Sequence, residues 1–237
     1  MSAAPPPILV LLPGMDGTGI MFEPFVQALE GFEPQVVRYP VELTAYPDCL
    51  AFARKALPTG RPFLLLGESF SGPVAIALAA EQPEGLLGLV LCGSFARNPR
   101  PDLAWLAPLL RLLPPLRLPL PLMRRLLLGG RATETLTRLV DTMLTQVPTA
   151  TLKRRLLAVG RVDHSDLLRR IQVPMLALCA GQDRLVPASA TDWIRAHRTQ
   201  LDITTLQGPH WLLQTRSQAC ARAIAAFADR NQAAQSA

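Results

Sequence analysis

The chain has few of the residues that build metal centres and disulfide frameworks. Among its 237 residues are only four cysteines, which are widely spaced and form no C-x-x-C pair: Cys49, Cys92, Cys179 and Cys220. This spacing indicates neither a zinc site nor a set of disulfides, and the thiols are expected to be reduced and structural. No metal ion or cofactor is predicted.

Long apolar runs are also missing. No segment approaches the roughly 18 to 20 consecutive apolar residues that a helix needs to span a bilayer. The first residues, Met-Ser-Ala-Ala-Pro-Pro-Pro, lack the basic region of a secretory leader, and the apolar residues 8–12 are too few for its core. We expect this stretch to be a first strand and the protein to be cytoplasmic.

Lysine is nearly absent, so arginine supplies most of the positive charge. Residues 97–170 carry 14 Lys and Arg against five Asp and Glu, whereas the rest of the chain carries 10 against 13. A GC-rich genome would produce an arginine bias without functional meaning, and a surface that attracts an acidic partner is the alternative. Because the basic stretch lacks interleaved aromatic residues, nucleic-acid binding is not predicted.

What the chain does contain is an alternation of short apolar runs and helical stretches. Strands are predicted at residues 8–12, 35–39, 63–66, 86–91, 175–179 and 202–206, with helices between them and a last helix over about 212–230. Most of these runs are almost entirely apolar, which is typical of parallel strands that are buried on both faces. The predicted fold class is therefore α/β, with a mostly parallel sheet, helices on both faces and a single domain.

The alternation is interrupted between residues 97 and 160, where no strand pattern occurs. Stretches rich in leucine and arginine are broken by prolines there, which predicts short helices joined by kinks. We interpret residues 1–96 and 161–237 as one α/β core, and residues 97–160 as a helical lid inserted over the sheet. A cap without any role in selectivity is the alternative for this insertion.

A tight turn between a predicted strand and a predicted helix carries the candidate nucleophile. Residues 67–72 read Gly-Glu-Ser-Phe-Ser-Gly, directly after the apolar residues 63–66 and before an alanine-rich helical run. A serine at the tip of such a turn, flanked by small residues, exposes its hydroxyl above the sheet. Ser69 is that serine, although Ser71 stands where the G-x-S-x-G pattern has its second glycine.

A serine nucleophile needs a base to take its proton, and the base needs an acidic partner. Of the three histidines, His210 follows the last predicted strand, and loops at the carboxyl ends of parallel strands converge where Ser69 also lies. Asp183 follows the preceding strand and is predicted to orient His210, with a turn or helix-cap aspartate as the alternative. The chain order Ser69, Asp183, His210 is the order described for α/β-hydrolases.

The tetrahedral intermediate of acyl transfer also needs two N–H donors, each typically worth about 3 kcal/mol. The backbone N–H of Phe70, directly after the nucleophile, is predicted to be one of them. The glycine-rich loop after the first strand is predicted to supply the other through Met15, with Asp16 as the alternative. A plain turn is the competing interpretation of this loop.

Over nearly its whole length the chain resembles the α/β-hydrolase superfamily. The resemblance rests on residues 12–19, 67–72 and 183–187 and on Pro209-His210. Pro13-Gly14 stands where His-Gly is usual, and this loop is similar to that of a branch that includes the plant phytyl-ester and diacylglycerol synthases. The resemblance implies the fold and a Ser-His-Asp triad.

Together these residues predict a serine carboxylic-ester hydrolase, that is, a carboxylesterase whose apolar lid suits the acyl chain of a small-molecule ester. Acyl transfer to an alcohol by the same triad is one alternative, and a non-catalytic binding protein is another. His197 and Asp202 match an acyltransferase H-x4-D pattern, which we attribute to chance.

The basic lid predicts a further alternative, in which the ester is bound to an acidic acyl carrier protein. In size and layout the chain is similar to the pimeloyl-carrier-protein methyl ester esterases of biotin synthesis. The predicted contacts with such a partner are Arg124, Arg125, Arg154 and Arg155. Weak contact of the lid with a membrane surface is also expected.

Overall fold

The computed structural model describes residues 5–115, 119–198 and 200–236, and they form an α/β fold around one sheet. The strands are β1 (Ile8–Leu12), β2 (Glu33–Val36), β3 (Phe63–Glu68), β4 (Leu86–Cys92), β5 (Met175–Ala180) and β6 (Asp202–Leu206). All neighbouring strands are parallel, in the order β2-β1-β3-β4-β5-β6. The predicted fold class is confirmed. The strand β2 lies on one side of β1 and β3 on the other. In open α/β sheets, ligands bind at the carboxyl ends of strands where the order reverses in this way.

The inner strands are almost entirely apolar because both faces of the sheet are covered. Along β1, Ile8, Val10 and Leu12 join one cluster of buried side chains, whereas Leu9 and Leu11 join another. Successive side chains of a strand point to opposite faces, so each face needs its own apolar residues. The first cluster is completed by α2 (Tyr46–Lys55), α3 (Gly72–Ala80) and α8 (Ala188–His197), and the second by α1 (Glu23–Gln27), α9 (Leu212–Thr215) and α10 (Ser217–Ser236).

Between β4 and β5 the described residues are mainly helical. The helices are α4 (Ala107–Leu112), α5 (Leu120–Leu128), α6 (Glu134–Gln146) and α7 (Thr149–Val159), with 3-10 turns at Pro101–Leu106 and Ser165–Arg170. Helices α5 and α6 pack through a separate apolar cluster that includes Met21 and Trp211, which follow β1 and β6. Residues 116–118 of the predicted lid lie outside the described residues. That the segment acts as a lid stays a prediction.

Prolines begin the helices of this segment instead of kinking them. Pro108 and Pro121 lie in the first turns of α4 and α5, and Pro148 directly precedes α7. The first turn of a helix has no intrahelical acceptor for its N–H groups, so proline costs nothing there. Among the described residues, no helix combines the length and the apolarity that crossing a bilayer requires.

Candidate active site

Ser69 lies in the turn between β3 and α3, in a left-handed backbone conformation. Its φ is 48°, a region that residues with a Cβ atom rarely adopt. The Oγ of Ser94 donates a hydrogen bond to the Ser69 carbonyl oxygen at 2.6 Å, which helps to hold the turn. Backbone strain of this kind is the geometry by which a strand-to-helix turn projects a side chain above the sheet.

Two glycines near Ser69, Gly67 and Gly72, allow β3, α3 and the loop after β4 to approach closely. A Cβ atom on Gly67 would lie 2.8 Å from the Cβ of Ala75. A Cβ atom on Gly72 would lie 1.8 Å from the Oγ of Ser94, so Gly72 provides the close approach on the helix side.

Ser71, the departure from the usual pattern, has a contact that glycine could not make. Its side chain is buried, and its hydroxyl donates a short hydrogen bond to the carbonyl oxygen of Pro13. The hydroxyl of Tyr39 lies 3.1 Å from the Ser71 Oγ. Ser71 therefore connects the turn that carries Ser69 to the loop after β1.

A continuous chain of hydrogen bonds joins Ser69, His210 and Asp183. The Ser69 Oγ lies 2.9 Å from Nε2 of His210, and Nδ1 of His210 lies 2.7 Å from Oδ2 of Asp183. Because the Asp183 carboxylate can only accept, the Nδ1 proton is directed to it, and Nε2 is free to accept the serine proton. The side chains of His210 and Asp183 are both only 5% exposed. The structure thus brings together the three residues that the sequence singled out.

Asp183 is held in place by its own loop. Its Oδ1 accepts hydrogen bonds from the backbone N–H groups of Leu185 at 2.8 Å and Val186 at 2.9 Å. This is the turn geometry that the alternative interpretation of Asp183 predicted, and it occupies one carboxylate oxygen while Oδ2 faces His210. The same residue therefore serves the loop and the histidine.

The other two histidines are engaged elsewhere. Nδ1 of His164 donates to the carbonyl oxygen of Pro73 at 2.8 Å, and Nδ1 of His197 donates to that of Trp193 at 2.9 Å. Asp202 forms an ion pair with Arg230, so the H-x4-D match does not bring His197 and Asp202 into one site.

The loop after β1 forms a tight turn over residues 14–17, closed by a hydrogen bond from the Gly17 N–H to the Gly14 carbonyl at 3.0 Å. The Asp16 carboxylate caps the turn by accepting from the N–H of Thr18 at 2.9 Å. In a trans peptide the N–H points opposite to the preceding carbonyl, so the Met15 N–H is directed out of the turn. Within the described residues, the Met15 N–H does not donate to a backbone or side-chain acceptor.

Arg155 on α7 binds the backbone carbonyls of this loop. Its predicted role as a surface contact is wrong. The side chain is 0% exposed, and burial lowers the pKa of its guanidinium. It donates to the carbonyl oxygens of Met15 at 3.0 Å and Asp16 at 2.8 Å, and also to those of Pro40 and Leu43. An acidic partner cannot reach a group in this position.

The other three predicted arginines lie at or near the surface. Arg125 and Arg154 are exposed, whereas Arg124 is half-buried and pairs with Asp141 at 3.4 Å. Whether any of them meets a partner stays a prediction.

Glu68, directly before the nucleophile, is a buried carboxylic acid that the sequence interpretation did not consider. Gln214 donates to its Oε1 at 2.9 Å, and the backbone N–H of Gly14 also interacts with the carboxylate. Burial raises the pKa of Glu68 to about 7, and the nearby Asp16 adds to the effect. A charged residue at the end of an otherwise apolar strand was the signal that could have identified it.

Metal-ligating residues do not gather elsewhere in the described part of the chain. It holds no group of three or more His, Cys, Asp or Glu side chains that could bind a metal ion. The side chains that meet at Ser69 are a serine hydroxyl and a histidine that can accept its proton, an arrangement that can perform nucleophilic chemistry.

Comparison with known proteins gives a family match and two curated relatives. The model of the alpha/beta hydrolase family matches residues 4–223. Phytyl ester synthase 1, chloroplastic, of Arabidopsis thaliana is 27% identical over 217 residues, which are 77% of this chain and 31% of that protein. The biotin biosynthesis bifunctional protein BioHC of Cellvibrio japonicus is 28% identical over 228 residues, which are 86% of this chain and 45% of that protein. The chain thus spans less than half the length of either relative.

Solved structures share the fold at low sequence identity. A lipase-esterase related protein from Clostridium acetobutylicum has a TM-score of 0.77 at 15% identity, covering 94% of both chains. The enol-lactonase from Burkholderia xenovorans has a TM-score of 0.73 at 16% identity, covering 96% of this chain and 93% of its own. With a family match over nearly all of the sequence and a fold shared with these enzymes, the chain belongs to the alpha/beta hydrolase family.

Proposed function

We propose that the chain is a serine carboxylic-ester hydrolase that forms an acyl-enzyme on Ser69. The observation that supports this most directly is the unbroken hydrogen-bond chain from Asp183 through His210 to the Ser69 Oγ, with Ser69 in a strained left-handed conformation. A structural serine has no need of either feature.

The reaction follows from the positions of these groups. The Ser69 Oγ attacks the acyl carbon of the ester while its proton moves to Nε2 of His210, and Asp183 stabilises the imidazolium. The imidazolium then protonates the departing alcohol, which leaves an ester between the acyl group and Ser69. Water gives its proton to His210 and attacks this ester, and the acid is released as the proton returns to Ser69.

The negative oxygen of both tetrahedral intermediates is assigned to the N–H groups of Phe70 and Met15. Phe70 directly follows the nucleophile, and the turn over residues 14–17 directs the Met15 N–H outwards. The carbonyl oxygens of Met15 and Asp16 are fixed by Arg155, which keeps the loop in one conformation before substrate binds. Such preorganised donors cost no rearrangement during the reaction.

The test is hydrolysis of p-nitrophenyl esters, from acetate to palmitate, by the unmodified chain, Ser69→Ala and His210→Ala. We expect each variant to lose at least about 1,000-fold in kcat, and the double variant to lose little more, because the two residues act as a unit. Ser189→Ala, which changes an exposed serine on α8, is the matched control and should be unaffected.

Labelling with a fluorophosphonate checks the nucleophile without assuming a substrate. We expect a single adduct on Ser69 and none in Ser69→Ala. The proposal would be contradicted if the unmodified chain neither reacts with the fluorophosphonate nor hydrolyses any of the esters.

Acyl transfer is a second candidate, favoured by the similarity to a protein named as a phytyl ester synthase. An alcohol would replace water in the second step, with the same residues in the same roles. Ester formation from a p-nitrophenyl ester and an added long-chain alcohol, at the expense of free acid, would identify this activity.

A carrier-bound ester remains a predicted substrate because the other relative is a biotin biosynthesis protein. With Arg155 buried, the contacts proposed for an acidic carrier are Arg124, Arg125 and Arg154. Turnover of a carrier-bound ester that survives charge reversal at these three positions would exclude them as contacts.

A further inference from the structure

Large apolar side chains are exposed mainly in one part of the molecule. Of nine such side chains in the described residues, eight lie between positions 103 and 156, and the ninth is Ile203 on β6. Trp105 is 73% exposed and Leu112 is 86% exposed. A contiguous patch of this kind on a folded protein usually marks a surface that something else covers.

The exposed side chains follow one helical face. The 3-10 turn Pro101–Leu106 continues directly into α4, and Trp105, Leu109 and Leu112 are spaced by four and three residues. Residues with this spacing lie one above the other on a helix, so the three side chains form a ridge.

Helix α7 extends the ridge and adds positive charge to it. The Nζ of Lys153 donates to the carbonyl oxygens of Arg111, at 3.0 Å, and of Leu113, which fixes α7 to the end of α4. Leu156, one turn further along α7, is 44% exposed. We call the surface formed by these side chains the apolar ridge: Leu103, Trp105, Leu109, Leu112, Leu113 and Leu156.

The charges around the apolar ridge are positive. Arg111 and Arg154 are exposed beside the contact between α4 and α7. Within residues 100–113 the one acidic side chain, Asp102, is paired with Arg100 at 2.7 Å. A second copy of this chain would set these positive charges against one another, whereas an anionic surface would neutralise them.

We propose that the apolar ridge docks on an anionic lipid surface. Leucine and tryptophan side chains enter the boundary between the headgroups and the acyl chains, while arginine and lysine remain with the phosphates, as in helices that lie in a membrane interface. Trp105 and Leu112 protrude into solvent. A lipid surface can deform around such side chains, so no matching pocket is required. If the proposed function holds as well, the substrate class is an acyl ester dissolved in a membrane.

The experiment is co-sedimentation with vesicles of phosphatidylcholine alone or mixed with phosphatidylglycerol, using the Ser69→Ala chain. Because this chain is inactive under the proposed function, docking and catalysis are measured separately. We expect binding to the mixed vesicles, weaker binding to phosphatidylcholine alone, and a decrease with added salt.

Two pairs of variants assign the binding to the apolar ridge. Leu112→Ser should weaken binding at least about tenfold, because a buried leucine contributes that much to partitioning, whereas Ile203→Ser should have no effect. Replacing both Arg111 and Arg154 by glutamate should abolish the preference for phosphatidylglycerol. Arg222→Glu, an exposed site on α10, should barely change it.

Trp105 also supplies a direct readout. Trp193 lies against the Arg97 guanidinium and Trp211 is 9% exposed, so a blue shift of fluorescence on adding vesicles should come from Trp105 and be lost in Trp105→Leu. Folding of each variant is checked by circular dichroism.

Three results would overturn the proposal. One is absence of binding to either kind of vesicle, and another is equal binding by the Leu112→Ser and Ile203→Ser variants. The third is self-association, or binding to an acidic protein, that requires the apolar ridge and occurs without any binding to vesicles.

Discussion

Arg155 fixes more of the backbone around the site than any other side chain described above, although it does not contact Ser69 or His210. Its guanidinium donates to four backbone carbonyls that belong to the loops after β1 and β2. Carbonyl dipoles compensate a buried cation when no carboxylate pairs with it, and the planar fork of arginine matches several acceptors at once. Arg155 is therefore a positioning residue for the Met15 N–H.

We predict that Arg155→Met lowers kcat by about 10- to 100-fold, with a smaller change in KM. Methionine preserves most of the volume but leaves the Met15 and Asp16 carbonyls without donors, so the loop no longer holds its N–H for the oxyanion, whose loss costs up to about 1,000-fold. The measurement is steady-state kinetics on the best p-nitrophenyl ester.

The matched control is Arg154→Met, its exposed neighbour, which should leave both constants unchanged. Arg155→Lys should recover part of kcat because lysine keeps the charge and reaches fewer carbonyls. A merely structural role would predict a lower melting temperature and unaltered kcat for the folded fraction of Arg155→Met.

Glu68 gives the protein a stability that depends on pH. Its pKa is about 7 in the folded state and near 4.5 when exposed, so the folded state keeps its proton where the unfolded state has lost it. Stability should therefore fall as pH rises from about 4.5 to 7, by up to about 3 kcal/mol from this group.

Glu68→Gln should remove this dependence, because the amide cannot ionise and Gln214 can still donate to its oxygen. We expect the variant to be more stable than the unmodified chain at pH 8 and similar at pH 4.5, measured by urea unfolding at both values. Equal pH dependence of the two chains would show that Glu68 is not the group responsible.

The sequence identified individual site residues where the order of strands constrains where a side chain lies. Ser69, Asp183 and His210 could be found because each follows a strand, and parallel strands end at the same edge of a sheet. Arg155 could not be found this way, since it lies about 140 positions from the loop that it binds and looks like one more basic residue in a basic stretch. The roles of Glu68 and Ser71 likewise depend on contacts that cross the fold.

At the scale of elements, the packing of α3 against the loop after β4 is the tightest contact in the site. We predict that Gly72→Ala destabilises the fold by about 3 kcal/mol or more, because the new methyl group would meet the Ser94 Oγ at 1.8 Å. Urea unfolding measures the change. In Gly160→Ala the new methyl group would lie 3.6 Å from the Leu157 carbonyl oxygen, so that variant should differ little from the unmodified chain.

The clash between the new methyl group of Gly72→Ala and the Ser94 hydroxyl also predicts an effect on activity. The Ser94 hydroxyl donates to the Ser69 carbonyl, so moving it should disturb the strained turn. Gly72→Ala with full activity and unchanged stability would show that the loop after β4 can shift freely.

Strands were easier to predict than the helices of residues 97–160. Continuous apolar runs identified the four inner strands. The two edge strands are more polar, and β2 covers Glu33–Val36 where residues 35–39 were predicted. The prolines indicated helix boundaries correctly but suggested kinks where they begin helices. The last helix was expected over about 212–230, whereas it divides at Arg216 and continues to Ser236, since alanine and glutamine favour helix after position 231.

For the molecule as a whole, the excess positive charge of residues 97–170 is concentrated in the helical segment between β4 and β5. The segment between β4 and β5 carries most of the excess positive charge and also eight of the nine exposed large apolar side chains of the described residues, whereas the rest of the chain is slightly acidic. The sequence predicted the basic character but not the exposure of its apolar side chains, because periodicity alone does not reveal which helical faces find a neighbour.

The buried guanidinium on α7 makes the helical segment and the reaction centre parts of one cooperative unit. A local opening of α7 would release the carbonyls that Arg155 holds, so the turn over residues 14–17 would lose its shape while the sheet stayed folded. Heating should therefore inactivate such an enzyme below the temperature at which its core melts. The same coupling works in reverse, because an inhibitor that rigidifies the turn over residues 14–17 should slow amide exchange in α7.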